Sequence, residues 1–182
     1  DRFYYTAMTE DVSHLAEEAI IQIVQNCHDI VDLEFDCIHF LDHDFYVAIS
    51  EHLPKLHTFK LIGVYDYPAG ALLREKCLHL KDLTLGAHGP EMLTTLSHPA
   101  TAVLTNLDIN CDTIEEHALL SMVKSNTNLK QLVLQSDECS VESTAWCTVL
   151  TLLPQLELLK VSCSDENESI NDTVLLQVSH CT

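Results

Sequence analysis

Apolar residues return along this chain in one fixed short pattern, separated each time by a longer stretch with helical spacing. In Ile30-Val31-Asp32-Leu33-Glu34-Phe35 they occupy positions one, four and six. The same spacing recurs at Leu56, Phe59 and Leu61; at Leu80, Leu83 and Leu85; and at Leu104, Leu107 and Ile109. Two more sets follow, at Leu129, Leu132 and Leu134 and at Leu156, Leu159 and Val161. Successive first positions lie 26, 24, 24, 25 and 27 residues apart. A short alternating apolar set predicts a strand, and runs with apolar residues three and four apart predict helices. Helices are predicted over about 12–26, 44–53, 69–76, 113–124, 141–152 and 171–180, with a shorter one at 91–96. Thr113-Ile114-Glu115-Glu116 has the spacing of a capping box, which places a helix start there.

Leucines are common enough that spacing alone is a weak marker, but the cysteines keep the same register. Cys27 and Cys77 each lie three residues before a first position, and Cys37, Cys111 and Cys163 each lie seven after one. Pro54 and Pro154 both sit two before. Cys181 precedes an expected further first position at 184, and the segment starting at Phe3 lies about one period upstream of the first set. The expectation is therefore a single array over 1–182, with six recognisable repeats starting near 30, 56, 80, 104, 129 and 156, belonging to a longer parent array. A strand–helix unit of about 25 residues cannot bury its apolar face alone, so stacked units form a parallel sheet with helices on its outer side.

Cys77-Leu78-His79-Leu80-Lys81-Asp82-Leu83-Thr84-Leu85 and Leu153-Pro154-Gln155-Leu156-Glu157-Leu158-Leu159-Lys160-Val161 resemble the cysteine-containing leucine-rich repeats, the ribonuclease-inhibitor-like class found in F-box proteins. The resemblance spans about Cys27 to Cys181, although the second cysteine comes one residue early and three repeats lack it. It implies an α/β leucine-rich repeat solenoid, a right-handed β-α superhelix with a parallel concave sheet and helices on the convex face. It further implies the substrate-binding region of an F-box-type ubiquitin ligase adaptor, joined to SCF ubiquitin ligase components through a region outside this chain. No F-box motif lies within these residues, and the alternative is a non-enzymatic leucine-rich repeat scaffold or regulator, intracellular or secreted, with no ubiquitin link.

Strand alternation sends the residues flanking the middle leucine away from the core. The expected partner-binding residues on the concave face are Asp32, Glu34, Asp36, Lys60, Asp82, Asn106, Asp108, Asn110, Gln131, Gln135 and Lys160. Stacked carboxylates and amides on the first four strands predict a protein partner with a basic or amide-rich surface.

Composition narrows the classes. With 28 acidic and 9 basic residues the net charge is −19, which repels phosphates and anionic lipid, so neither nucleic acid nor a membrane is expected as partner. There is no apolar run of about 18 residues and no signal-peptide pattern at the start of the sequence. The eight cysteines show no CxxC and no tight cluster, which predicts reduced, mostly buried thiols and a cytoplasmic or nuclear location. Two glycosylation-type triplets, at Asn167 and Asn171, are near chance frequency. No GxSxG, Walker or GxGxxG motif occurs, so no enzyme activity and no cofactor are expected. Cys37, His39 and His43, and Cys77 with His79, offer too few converging ligands for zinc, and no metal is expected. Trp146 falls on the apolar side of its helix and is read as core, while 164–169 is read as a solvated rim loop.

Overall fold

The computed structural model describes residues 2–6, 13–36, 43–65, 73, 75–88, 92–97, 103–163 and 172–177. Strands and helices alternate: β1 Arg2–Thr6, α1 Ser13–Asn26, β2 Asp32–Asp36, α2 His43–His52, β3 Thr58–Tyr65 and β4 Asp82–His88. They continue as α3 Met92–Thr95, β5 Asn106–Glu115, α4 Glu116–Ser125, β6 Gln131–Ser140, α5 Ser143–Leu152, β7 Leu158–Cys163 and β8 Asp172–Gln177. All eight strands form one sheet in sequence order; β1 to β7 are mutually parallel, and β8 runs antiparallel to β7. The fold is α/β, and the spacing read from the sequence is also its structural period.

That period has a backbone cause. In five of the six units, three residues before the first position the chain leaves its helix, and the amide at the first position donates back to that carbonyl. The bonds run from Ile30 to Cys27, Leu56 to Leu53, Leu80 to Cys77, Leu129 to Asn126 and Leu156 to Leu153, at 3.0–3.3 Å. Pro54 and Pro154 follow Leu53 and Leu153, where a residue that cannot continue a helix is favoured. One residue past each first position, a single carbonyl accepts two amides from the next unit. Val31, His57, Lys81, Thr105 and Lys130 do this, at 2.7–2.9 Å to the first amide and 3.0–3.1 Å to the second. Each turn therefore sets the register of the following strand, and the pairs Leu33↔Phe59, Leu83↔Leu107, Leu107↔Leu132 and Leu132↔Leu159 carry it along the sheet.

All eighteen residues of the six apolar sets are buried, and with the buried helix residues they make one cluster running from Ile20 to Val161. Phe35, Phe45 and Phe59 are fully enclosed within it. Trp146 is half-buried and packs against the cluster, as its helical position suggested. Asn126 is its main polar member: its Nδ2 donates to the carbonyls of Met122 at 2.7 Å and Leu96 at 3.1 Å, joining two successive units.

Several expectations need correction. The capping box at Thr113 does not form: β5 continues through Thr113 and Ile114 to Glu115, because nine register pairs with β6 hold it extended. Helix α4 begins only at Glu116, after Glu115 as N-cap with no side-chain cap. The Glu116 carboxylate instead accepts the backbone amide of Glu142, the N-cap of the next helix, at 3.2 Å. The helix expected over 171–180 contains strand β8, which takes up the open hydrogen-bonding edge of β7. The segment from Phe3 does supply a parallel strand, β1. Among the six described cysteines, all free thiols, only Cys77 and Cys111 are buried; Cys163 is half-buried and Cys27, Cys139 and Cys147 are exposed. The expectation of mostly buried thiols is thus corrected, because several units place theirs beyond the helix–sheet interior. Cys37, His39, Cys181, loop 164–169 and most of 69–76 lie outside the described residues.

Candidate protein-recognition face

Burial alternates along the strands through the apolar sets. In β2 and β7 the leucine-set residues are buried and their neighbours half-buried, so the neighbours form the sheet's other face. Register then aligns those neighbours into rows. One row runs Arg2, Asp32, Thr58, Asp82, Asn106, Gln131 and Leu158. The next, one step further along each strand, runs Tyr4, Glu34, Lys60, Thr84, Asp108, Val133 and Lys160. A third has Asp36 beside Ile62, and Gly86, Asn110 and Gln135 beside Ser162. All eleven residues expected at a binding face therefore share one face of one sheet.

Their electrostatics differ from a bare acidic strip. Asp32 is paired with Arg2 at 2.7 Å, and Glu34 with Lys60 at 2.7 Å. Asp82 accepts the Asn106 amide. These are half-exposed pairs of the kind that contribute little stability, but they neutralise charge within the face itself. Arg2 carries no apolar periodicity and was missed in the sequence; only the register of β1 brings it beside Asp32. Tyr4 was missed for the same reason, and its ring is 60% exposed on the central row.

Asp108 stands apart. Burial pushes its carboxyl above the usual aspartate range, opposed by the positive charges of Lys160 and Lys60 on the same row. It lines a shallow depression of about 160 Å³ with Asp82, Thr84, Asn106, Gln131 and Val133. That volume is below the roughly 300–1,000 Å³ of small-molecule sites and suits a single inserted side chain. The side chains of Asn110, Gln131 and Gln135 make no hydrogen bond among the described residues, so their amides are open to a partner. The chemistry of the depression is that of an acceptor for a cationic or amide group.

A desolvated carboxylate in a free face lowers stability. The folded protein holds the Asp108 proton more tightly than the unfolded chain does, so its contribution is favourable below the ordinary aspartate pKa and is lost as pH rises through the folded value. Asp108→Asn is therefore expected to raise the urea midpoint at pH 7 and to lose that advantage below about pH 4, near the unfolded pKa of aspartate. Equal midpoints at pH 7 would show that the carboxylate is not strained.

Among the described residues no group of three or more histidine, cysteine or acidic side chains converges as a metal site. His79, raised above with Cys77, is exposed and stacks on His57 at 5.8 Å, while Cys77 is buried and its thiol is pushed up to about 11. No helix of the described residues is long and apolar enough to cross a membrane. No family model matches the chain, and no curated protein matches it.

Proposed function

We propose that this chain is a leucine-rich repeat solenoid acting as a non-enzymatic protein–protein recognition module, which holds its partner against the sheet face carrying Asp82, Asn106, Asp108 and Gln131. One observation carries the reading: three rows of polar side chains lie in register on one face of a parallel sheet whose other face is buried under helices. Parallel sheets are ordinarily covered on both faces, so a polar face left open in a repeat array is suited to a partner. The partner is a protein presenting basic or amide side chains, because Asp108 makes no ion pair among the described residues and feels Lys60 and Lys160 only through space, while Asp32 and Glu34 already have ion-pair partners.

The finer assignment, the substrate-binding repeats of an F-box-type ubiquitin ligase adaptor in the cytoplasm or nucleus, rests on the family resemblance of Cys77–Leu85 and Leu153–Val161. Copurification of the full-length protein with SCF components tests that part separately.

The binding face itself is tested by the double variant Thr84→Arg/Asp108→Lys, with Thr148→Arg on the exposed side of α5 as control. Affinity capture followed by crosslinking should find a protein held by the wild type and the control but reduced more than tenfold with the double variant. Retention of the same partner by all three proteins would rule out this face as the contact.

A further inference from the structure

From β2 to β7 the central row of the open face reads Glu34, Lys60, Thr84, Asp108, Val133 and Lys160. Lys60 is already paired, since its Nζ donates to Glu34 at 2.7 Å. Asp108 and Lys160 differ from it: both are half-buried, and neither makes an ion pair among the described residues. Only β6 separates their strands, so the two charges stand two strand steps apart, roughly 10 Å. Half-buried Val133 fills the step between them with an apolar side chain. A partner bringing only basic groups to this part of the row would satisfy Asp108 and be repelled by Lys160, and an acidic one would meet the reverse. The row is complementary to a pair of opposite charges at that separation.

The separation also selects the form of the segment that carries the pair. Lying along the row, across the strands, it must present both side chains from one side. In an extended segment, residues on the same side are spaced by about 6.6 Å or about 13 Å, and neither matches. In an α-helix, residues seven apart are separated by about 10.5 Å along the axis and by only about 20° around it. Residues three or four from each of them lie on the same side, one strand step along, where they meet Val133.

We propose that the occupant of this face is an α-helix of a partner protein laid across the strands, with a basic side chain entering the depression at Asp108 and an acidic one, seven residues away, paired with Lys160. Between the two, an apolar side chain rests on Val133. On the recognition face proposed above, on which this rests, the partner narrows from a basic or amide-rich surface to a helix of mixed charge. The depression of about 160 Å³ gives the basic tip its socket, with Asp82 and Gln131 in its wall beside Asp108. Burial holds the Asp108 carboxyl above the usual aspartate range in spite of Lys160 and Lys60, so the cation it lacks comes from the partner. The neighbouring Glu34–Lys60 pair continues the row toward β1 without demanding a counter-charge.

The probe is a displayed library of alanine-based helices of about 18 residues, five turns, randomised along one side and panned against the whole chain at physiological salt. Enriched peptides should carry a basic and an acidic residue seven apart, with an apolar residue between them. Measured by fluorescence anisotropy, such a peptide should lose about tenfold or more in affinity on Asp108→Lys and on Lys160→Glu. Exchanging its basic and acidic residues should cost as much on the wild type and be recovered on the double variant Asp108→Lys/Lys160→Glu. Making both positions basic should weaken binding, although the chain carries a net charge of −19. Two of these arms alter only the peptide and are read on the wild type, so they hold however the protein variants fold. Binders stopped by Thr84→Arg/Asp108→Lys but lacking the charge spacing would overturn the helix and leave the recognition face standing; binders unaffected by that variant would overturn both. Tighter binding of the all-basic peptide, or no binder at all, would also overturn the proposal.

Discussion

Replacing Phe35 with alanine is expected to destabilise the protein by about 3–5 kcal/mol, the usual range for removing a fully buried phenylalanine ring. The cost arises where two levels of the structure meet. Phe35 is the last apolar residue of β2, fully enclosed, and its ring contacts three others: Phe3 at 6.2 Å, Phe45 at 5.3 Å in an edge-on arrangement, and Phe59 at 6.3 Å. Phe3 and Phe59 come from the strands on either side, and Phe45 from helix α2. A cavity at Phe35 therefore loosens β1, β3 and α2 together, and neighbours held by backbone ladders cannot move far enough to fill it. Urea denaturation followed by circular dichroism measures the effect. Phe35→Leu, which keeps most of the volume, should lose less than half as much; equal losses would show that the ring contacts, and not the cavity, carry the cost.

The contacts around Phe35 also show what the sequence made legible. Its place in the Ile30, Leu33, Phe35 set is a matter of period-two alternation, and every such set is buried because any other register would expose a row of leucines. The face opposite follows by the same alternation, so the eleven polar positions could be named before any coordinates. Pairings along that face could not. Arg2 meets Asp32 only because β1 starts level with β2, and no apolar set marks that start; Glu34 and Lys60 hold the same place in successive sets, so that they are neighbours was legible and only their ion pair was not.

Local motifs failed where long-range pairing outweighed them. Thr113 and Glu116 have capping-box spacing, yet a cap contributes about 1 kcal/mol. Extending β5 to Glu115 gains several ladder pairs with β6, and the β-branched Thr113 and Ile114 suit a strand. At 171–180 the apolar positions fit a helix, but Thr173 and Val174 are also good strand residues, and the edge of β7 offers unpaired amides and carbonyls for them to meet.

Asn126→Asp should be nearly as damaging as losing Phe35, about 3–5 kcal/mol at pH 7, although it changes neither the volume nor the shape of the side chain. Asn126 stands at the helix exit, where other units have Cys27, Leu53, Cys77 or Leu153, and it is only 4% exposed. Its Nδ2 satisfies two carbonyls, Met122 within its own helix and Leu96 in the preceding unit, while its Oδ1 has no hydrogen-bond partner among the described residues. The residue is thus held for its donors. An ionised aspartate has none, and it would set a buried negative charge against two carbonyl oxygens. Burial would raise the pKa of the new carboxyl above its unfolded value. Relative to wild type, the penalty should be smallest below about pH 4, where the group is protonated in both states, and should grow as pH rises through the folded value. Asn106→Asp is the control, since Asn106 is half-exposed and donates to Asp82 on the open face. Its midpoint should shift by less than a third as much at pH 7. If the two variants unfold at the same urea concentration, Asn126 is not the link between successive units that its two hydrogen bonds describe.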